Sequence, residues 1–277
     1  MSLDAIAPEA LDNLTLELAV AGLNIVQPLS TLWYNEHVTR NNLPLQPIPS
    51  FGRAGGALCL LIGNSRDLWD AFLRWLRAQP DPSSIAEPLD YYTTSTIMRV
   101  IVKAAGTVAH DIFWSSESGD RLVSMQRVAL TSGLCCHDPE TQLSIHPAYG
   151  AWCAFRACVV FDADGPMGGA PPPCPDLLSH SERAAAREAM ADALKASDEA
   201  RLCAQLHGGE AMTTEVRLAW AKLRDCVLIG KEQYRYSELQ LAYHYTKDKA
   251  LLLQALNDLW EESAHSYDSA QDDRPWH

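Results

Sequence analysis

An apolar run over residues 151–161 constrains the fold of this chain most strongly. It reads Ala-Trp-Cys-Ala-Phe-Arg-Ala-Cys-Val-Val-Phe, a composition that predicts a strand inside a sheet. Its one interior charge is Arg156. Because an unpaired charge in an apolar interior costs several kcal/mol, this arginine must either pair with a carboxylate or serve a ligand. Spacing alone favours a carboxylate of the C-terminal half and leaves the ligand interpretation open.

The spacing of apolar residues predicts further elements before this strand. Helices are expected over residues 5–22, 65–79 and 121–136, where apolar residues recur at helical intervals. A short apolar run at 57–62 predicts a second buried strand. Residues 94–114 are rich in β-branched and aromatic side chains, which indicates strand character.

The C-terminal half reads as helical. Ser179 with Glu182 forms a capping-box pattern that opens a long helix, which Gly208-Gly209 should end. A second helix is predicted over residues 214–227. A third should start at Ser237, where Gln240 completes another capping box, and a fourth at Thr246.

A glycine- and proline-rich segment, residues 165–175, joins the two halves. Its composition predicts a loop, because proline cannot donate regular backbone hydrogen bonds. The helices that follow need a sheet to bury their apolar faces, so this loop is not taken as a domain boundary. We expect one α+β domain over residues 1–262, followed by a polar tail over residues 263–277.

Charge and hydropathy narrow the class of protein. The formal net charge is −13 at pH 7, which argues against nucleic acid as a partner. No run approaches the ~18–20 apolar residues of a membrane helix, and the acidic start lacks a signal-peptide pattern. The 8 cysteines are scattered without a Cys-x-x-Cys pair, as is typical of reduced thiols. We therefore expect a cytoplasmic protein with no membrane partner.

Common catalytic motifs are missing from the sequence. It contains no Walker A loop, no Gly-x-Ser-x-Gly, no Gly-x-Gly-x-x-Gly after a strand and no His-Glu-x-x-His. Residues 135–138, Cys-Cys-His-Asp, place soft ligands side by side, but zinc sites use spaced pairs. We interpret them as small buried residues at a helix end. No metal site and no catalytic residue is assigned.

Three separated blocks, in a fixed order, form the most specific pattern in the chain. The first is Trp-Tyr-Asn-Glu at 33–36 with Leu-Pro-Leu at 43–45, and the second is the Ile-His-Pro turn at 145–147 leading to Arg156. The third, at 235–243, reads Arg-Tyr-Ser-Glu-Leu-Gln-Leu-Ala-Tyr. Together these blocks resemble the CblC family of cyanocobalamin reductases and alkylcobalamin dealkylases. The resemblance covers about residues 31–255.

This resemblance implies a flavin-reductase or nitroreductase-like scaffold with a mostly antiparallel sheet and a large cavity for cobalamin. The nucleotide base of cobalamin would be off the cobalt, in agreement with the absence of an Asp-x-His-x-x-Gly motif. Reduced FMN or FAD would drive loss of cyanide, and a glutathione thiolate would remove alkyl groups. A downstream cobalamin-trafficking protein is an implied partner, and the implied oligomeric state is a monomer or a ligand-induced dimer.

Site residues follow from the resemblance position by position. The positions that would contact cobalamin are Val123, Ser124, Met125, Gln126, Ser144, Ile145, His146 and Phe155. The cations that would bind the glutathione carboxylates are Arg156, Arg224 and Lys249. Two positions depart from the family pattern: Ser144 stands where many relatives carry cysteine, and Leu130 stands where a histidine is expected.

Two alternatives of different classes stay open. The first is a flavin-dependent reductase of another substrate on the same scaffold, because a scaffold does not determine its chemistry. The second is a non-catalytic cobalamin carrier or assembly partner. A change in the cobalamin spectrum on mixing separates the cobalamin binders from the other reductase, and turnover with reduced flavin then separates enzyme from carrier.

Overall fold

An antiparallel sheet of four strands organises the protein. The computed structural model describes residues 6–207 and 211–259, and within them the strand order is β1-β2-β6-β3. These strands are β1 (Ile25–Ser30), β2 (Ala57–Asn64), β3 (His110–Trp114) and β6 (Ala154–Asp164). Two short strands, β4 (Cys136–His137) and β5 (Ser144–Ile145), form a separate antiparallel hairpin. The predicted antiparallel sheet is therefore confirmed.

The helices lie before, between and after the strands. The first five are α1 (Pro8–Val20), α2 (Thr31–Arg40), α3 (Leu68–Arg77), α4 (Pro88–Ala105) and α5 (Met125–Thr131). After the sheet come α6 (His180–His207), α7 (Thr214–Asp225), α8 (Lys231–Tyr234), α9 (Glu238–Thr246) and α10, residues 249–259. In the described part of the chain, no helix is long and apolar enough to cross a membrane.

Each face of the sheet carries its own apolar core. One face packs alternate residues of β2 and β6, such as Ile62 and Val159, against α1, α3, α4, α9 and α10. The opposite face packs their neighbours, such as Leu61 and Val160, against α2 and α5. Burial on both faces explains why β2 and the interior of β6 are almost continuously apolar.

A β-bulge determines the face on which Arg156 lies. Ile62 of β2 pairs with Ala157 of β6. The next residue, Gly63, pairs with Phe155, so Arg156 is the extra residue between them. Phe155 consequently packs on the α2/α5 face, whereas Arg156 lines a cavity on the face of α3, α4 and α9. Ala157 lies on the same face as Arg156, so without the bulge strict alternation from Ala157 would exchange the faces of Arg156 and Phe155.

The predicted strand over 94–114 is wrong for most of its length. Residues up to Ala105 belong to α4, and only His110–Trp114 form a strand. Ile97, Val100 and Ile101 recur at helical spacing and are buried on one side of α4. Burial of that stripe against the sheet outweighs the β propensity of branched side chains.

Most other predicted elements are present with shifted ends. Residues 57–62 and 151–161 fall on β2 and β6, but the predicted helix over 121–136 is reduced to the short α5, which Gly133 follows at φ 71°. The predicted helix over 65–79 begins only at Leu68.

The C-terminal predictions hold with three qualifications, the first being that the helix predicted from Thr246 begins only at residue 249, because Thr246 ends α9. Ser179 and Glu182 form the reciprocal capping bonds, at 2.9 and 3.2 Å. Ser237 caps α9 by accepting from the backbone N–H of Gln240 at 3.2 Å, but the Gln240 side chain turns to Arg66. The glycine pair predicted to end α6 and the tail over 263–277 lie outside the described residues.

Candidate functional site

The turn at residues 146–150 is built around His146. Its Nδ1 accepts from the backbone N–H groups of Ala148 at 3.0 Å and Tyr149 at 3.3 Å, and its ring stacks on Tyr149 at 4.5 Å between centroids. Gly150 closes the turn at φ 56°, where an added Cβ would lie 1.9 Å from the carbonyl oxygen of Ile229. Burial lowers the pKa of His146 to about 4. A neutral ring that accepts at Nδ1 carries its proton on Nε2.

The two segments that the resemblance assigns to cobalamin meet in the fold. The first residues of α5 reach the β4–β5 hairpin, because Gln126 Nε2 donates to the carbonyl oxygen of Gln142 at 2.6 Å. Ser144 of β5 pairs directly with His137 of β4. Since opposed residues of an antiparallel pair project to the same side, His137 and Ser144 share one face of the hairpin. We call this junction, formed by Gln126, His137, Gln142 and Ser144, the hairpin junction.

Polar atoms at the hairpin junction are buried without partners. Among the described residues, neither ring nitrogen of His137 nor the hydroxyl of Ser144 makes a well-formed hydrogen bond, although the Gln142 side chain approaches the His137 ring. Burial and the positive charge of Arg127 lower the pKa of His137, and the contact with the Gln142 side chain only partly opposes them, so the ring stays neutral. An unsatisfied buried polar group costs about 1–3 kcal/mol, so three such atoms together indicate a place where something polar binds.

The remaining predicted cobalamin residues divide between packing and local structure. Val123 and Met125 are buried on the α2/α5 face, where Phe155 packs beside them. Ile145 is fully buried in a small cluster under the hairpin. The backbone N–H of Ser124, at the start of α5, donates to the hydroxyl of Tyr34 at 3.4 Å. These side chains support the hairpin junction.

Arg156 has an amide as its hydrogen-bond partner. Its Nε donates to Asn64 Oδ1 at 2.7 Å. In the described part of the chain no carboxylate pairs with it, and Asp90 acts on it only at longer range. Burial lowers its pKa. The carboxylate that spacing favoured as its partner is therefore not found there, and the interpretation of a cation available to a ligand is strengthened.

Further cations gather around Arg156 on the same face. The guanidinium of Arg224 lies 4.2 Å from the ring of Trp152 and 4.7 Å from that of Tyr236. Tyr236 and His244 line the cavity that contains Arg156, which has a volume of about 10 Å³, room for a single water molecule. Burial lowers the pKa of His244 to about 3, and the charges of Arg224, Lys247 and Arg156 add to this effect. We call Arg156, Arg224 and Lys247, together with the neutral ring of His244, the cation cluster.

Lys249, the third predicted glutathione cation, lies elsewhere. Its Nζ donates to the carbonyl oxygen of Ser83 at 3.4 Å, and it lines a separate pocket with residues of α10. The lysine that approaches the cation cluster is Lys247, which ends α9 at φ 58° and lies 5.6 Å from the ring of Tyr243. Sequence reasoning missed it, because the predicted helix from Thr246 ran through this break.

The cysteine-rich stretch at 135–138 is otherwise occupied. Cys135 and Cys136 are buried, and the carboxylate of Asp138 pairs with Arg183 and accepts from Thr141. Within this stretch the buried polar atoms without a well-formed hydrogen bond are the ring nitrogens of His137. The sequence did not indicate His137 as a site residue, because the stretch lacks the spaced ligand pairs of a metal site.

No protein-family model and no curated protein sequence matches the chain. Among solved structures, the chain is similar to that of the C. elegans B12-trafficking protein CblC, described as a human MMACHC homologue. The TM-score is 0.62 with 16% sequence identity, over 89% of this chain and 96% of the other. At this identity the similarity shows a shared fold.

Proposed function

We propose that this protein binds cobalamin at the hairpin junction and removes its upper axial ligand. The observation that carries the proposal is the set of buried, unpartnered polar atoms of His137 and Ser144. They lie where the two segments that resemble the cobalamin-contacting segments of CblC meet. The fold shared with a B12-trafficking protein supports the same conclusion.

The chemistry of the hairpin junction suits the corrin periphery. A neutral imidazole offers one donor and one acceptor, and a serine hydroxyl offers both as well. The primary carboxamides on the rim of cobalamin offer the same two functions. Pairing them with His137 and Ser144 would satisfy groups that otherwise remain buried without partners. Cobalamin is the substrate in this proposal, and the protein holds it by its periphery.

Removal of the upper ligand is the finer part of the proposal. Reduced FMN or FAD would be a diffusing co-substrate, and the chemistry it would supply is electrons for the cobalt, with loss of cyanide. Electron transfer needs proximity and an open coordination position more than a proton donor. The role of the chain is therefore to bind and orient cobalamin, and no residue is assigned as an acid or base. We also propose that the scaffold is nitroreductase-like and that the protein is located in the cytoplasm.

Dealkylation by glutathione is a second candidate activity, and the unpaired Arg156 favours it. Arg156 and Arg224 could each hold a carboxylate once the side chains that close the Arg156 cavity move apart, with Lys247 or the predicted Lys249 as a third cation. Phe155 and Arg156 lie on opposite faces of the sheet, so a peptide on the cation cluster would have to reach the hairpin junction around the start of β6. Decyanation has no such requirement.

Calorimetric titration with cyanocobalamin tests the proposal. We expect His137→Phe and Ser144→Ala each to weaken binding by about 1–3 kcal/mol, because each removes a partner of a buried polar group. His110→Phe, on the edge strand β3, is the matched control and should bind like the wild type. Equal affinities in all four proteins would contradict the assigned site.

Turnover separates the remaining functions. A protein that binds cyanocobalamin and releases cyanide with reduced flavin is an enzyme. One that binds without turnover is a carrier or assembly partner. Flavin oxidation with no change in the cobalamin spectrum would indicate a reductase of another substrate.

A further inference from the structure

Two cysteines from distant parts of the sequence meet beneath the β4–β5 hairpin. Cys136 belongs to β4, and Cys174 lies in the glycine- and proline-rich segment 165–175. Both belong to one small apolar cluster, with Leu178 and Val227. The thiol and the backbone N–H of Cys136 both interact with the sulfur of Cys174, and burial raises the pKa of both thiols, so each reacts through a minor thiolate fraction. The Cys136 sulfur in turn faces the backbone N–H of Leu177.

The two thiols differ in exposure in the way that a redox pair requires. Cys174 is partly exposed, so a small disulfide can reach it from solvent. Cys136 is 8% exposed and can react only with a group already held beside it. Cys59 and Cys158 also contact each other, but both are fully buried in the α2/α5 core. That second pair is an internal control, since no reagent reaches it.

We propose that Cys136 and Cys174 form a reversible dithiol/disulfide pair that responds to glutathione disulfide. In the first step the Cys174 thiolate attacks glutathione disulfide, which gives a mixed disulfide and releases one glutathione thiolate. In the second step the Cys136 thiolate attacks the Cys174 sulfur of the mixed disulfide and releases the second glutathione. The protein loses two thiol hydrogens as protons and two electrons, and one glutathione disulfide becomes two molecules of glutathione.

The pair is placed to couple the segment 165–175 to the hairpin junction. One part of the segment lies along α2, where Trp33 Nε1 donates to the carbonyl oxygen of Gly168 at 3.4 Å. Pro171 and Pro173 of the segment line an open cleft of about 440 Å³ between α2 and α5. A disulfide to β4 would tether this wall of the cleft to the strand that carries His137. The chemistry does not depend on cobalamin and stands apart from the proposed function.

Mass spectrometry of the full chain tests the pair. The protein is equilibrated at increasing ratios of glutathione disulfide to glutathione, and free thiols are then blocked in acid. Trypsin places Cys136 in the peptide of residues 128–156 and Cys174 in that of residues 157–183. We expect these peptides to become cross-linked as the ratio rises, and to separate again on addition of glutathione.

Variants assign the cross-link. Cys174→Ser, at a partly exposed loop position, should abolish it, whereas Cys153→Ser should keep it. Cys136→Ser should leave Cys174 as a mixed disulfide with glutathione, a mass shift that identifies Cys174 as the thiol that reacts first. Absence of the cross-link at the most oxidising ratio would overturn the proposal, and so would its persistence in Cys174→Ser.

Discussion

Arg156→Gln should separate folding from glutathione binding. In the folded protein two effects of the substitution oppose each other. It removes the charge-assisted hydrogen bond to Asn64, a contribution of about 1.5–3 kcal/mol. It also removes a buried cation for which the described residues provide no carboxylate partner, and the desolvation of that cation costs the folded protein several kcal/mol. We therefore expect the free energy of unfolding to change by no more than about 1 kcal/mol.

Glutathione binding has no such compensation. Loss of a guanidinium–carboxylate pair should weaken it by about 1.5–3 kcal/mol, roughly ten- to hundredfold in affinity. The assay measures dealkylation of methylcobalamin against glutathione concentration, beside decyanation of cyanocobalamin with reduced flavin. Decyanation uses no peptide carboxylate and should change much less.

Arg53→Gln is the matched control at the opposite end of β6. Arg53 pairs with Asp162 at 2.8 Å and Asp164 at 2.9 Å, so its loss should lower stability and leave the glutathione dependence unchanged. If Arg156→Gln instead costs about 3–5 kcal/mol of stability and damages both activities equally, Arg156 has a structural role and the reasoning is refuted.

Three further predictions concern histidines. His146→Ala should weaken cobalamin binding by about 1–3 kcal/mol through lost packing and turn structure, and an unchanged affinity with a large loss of rate would make His146 catalytic instead. Unfolding by urea should show stability falling as the pH drops from 6.5 toward 4, by up to about 1.4 kcal/mol per pH unit for each of His146 and His244. In this pH range the two histidines bind protons in the unfolded chain but stay neutral in the folded protein, where their pKa values are about 4 and about 3. His244→Asn should therefore make the slope less steep. An unchanged slope would contradict the burial argument. Bound Co(II) cobalamin should show no hyperfine coupling to a protein nitrogen, and a coupling that disappears in His137→Phe would reveal a histidine on cobalt.

Local signals predicted the elements whose causes are local. The capping box of Ser179 and Glu182 and the cap at Ser237 act within one turn, and both are in place. The strand predicted over residues 94–105 is wrong, because branched side chains favour strands by propensity while their spacing fits a helix. Packing of that stripe against the sheet decided between the two.

Placement of the site depends on tertiary pairing. That Arg156 is the extra residue of a bulge follows from the register with Gly63, where an added Cβ would lie 2.6 Å from the carbonyl oxygen of Ala154. Nothing in the run around Arg156 encodes this register. In the same way, His137 can be identified as a candidate site residue only from its cross-strand pairing with Ser144.

Lys247, and not the predicted Lys249, lies near the cation cluster because of a break between two helices. Lys247 adopts the left-handed conformation that ends α9, and the chain then restarts as α10. Lys249 follows Lys247 by only two residues, but it lies beyond the break, and its side chain therefore lines a separate pocket. The spacing of apolar residues did not indicate this break, and it predicted a helix that begins at Thr246.

Mixing the protein with methylcobalamin and recording the absorbance spectrum tests the central claim most directly. The account predicts saturable conversion to the base-off spectrum, because the protein should hold the corrin by its periphery and leave the nucleotide base off the cobalt. His137→Phe should require more protein for the same conversion, whereas His110→Phe should match the wild type. A spectrum that remains that of free methylcobalamin at a large excess of folded protein would contradict the account.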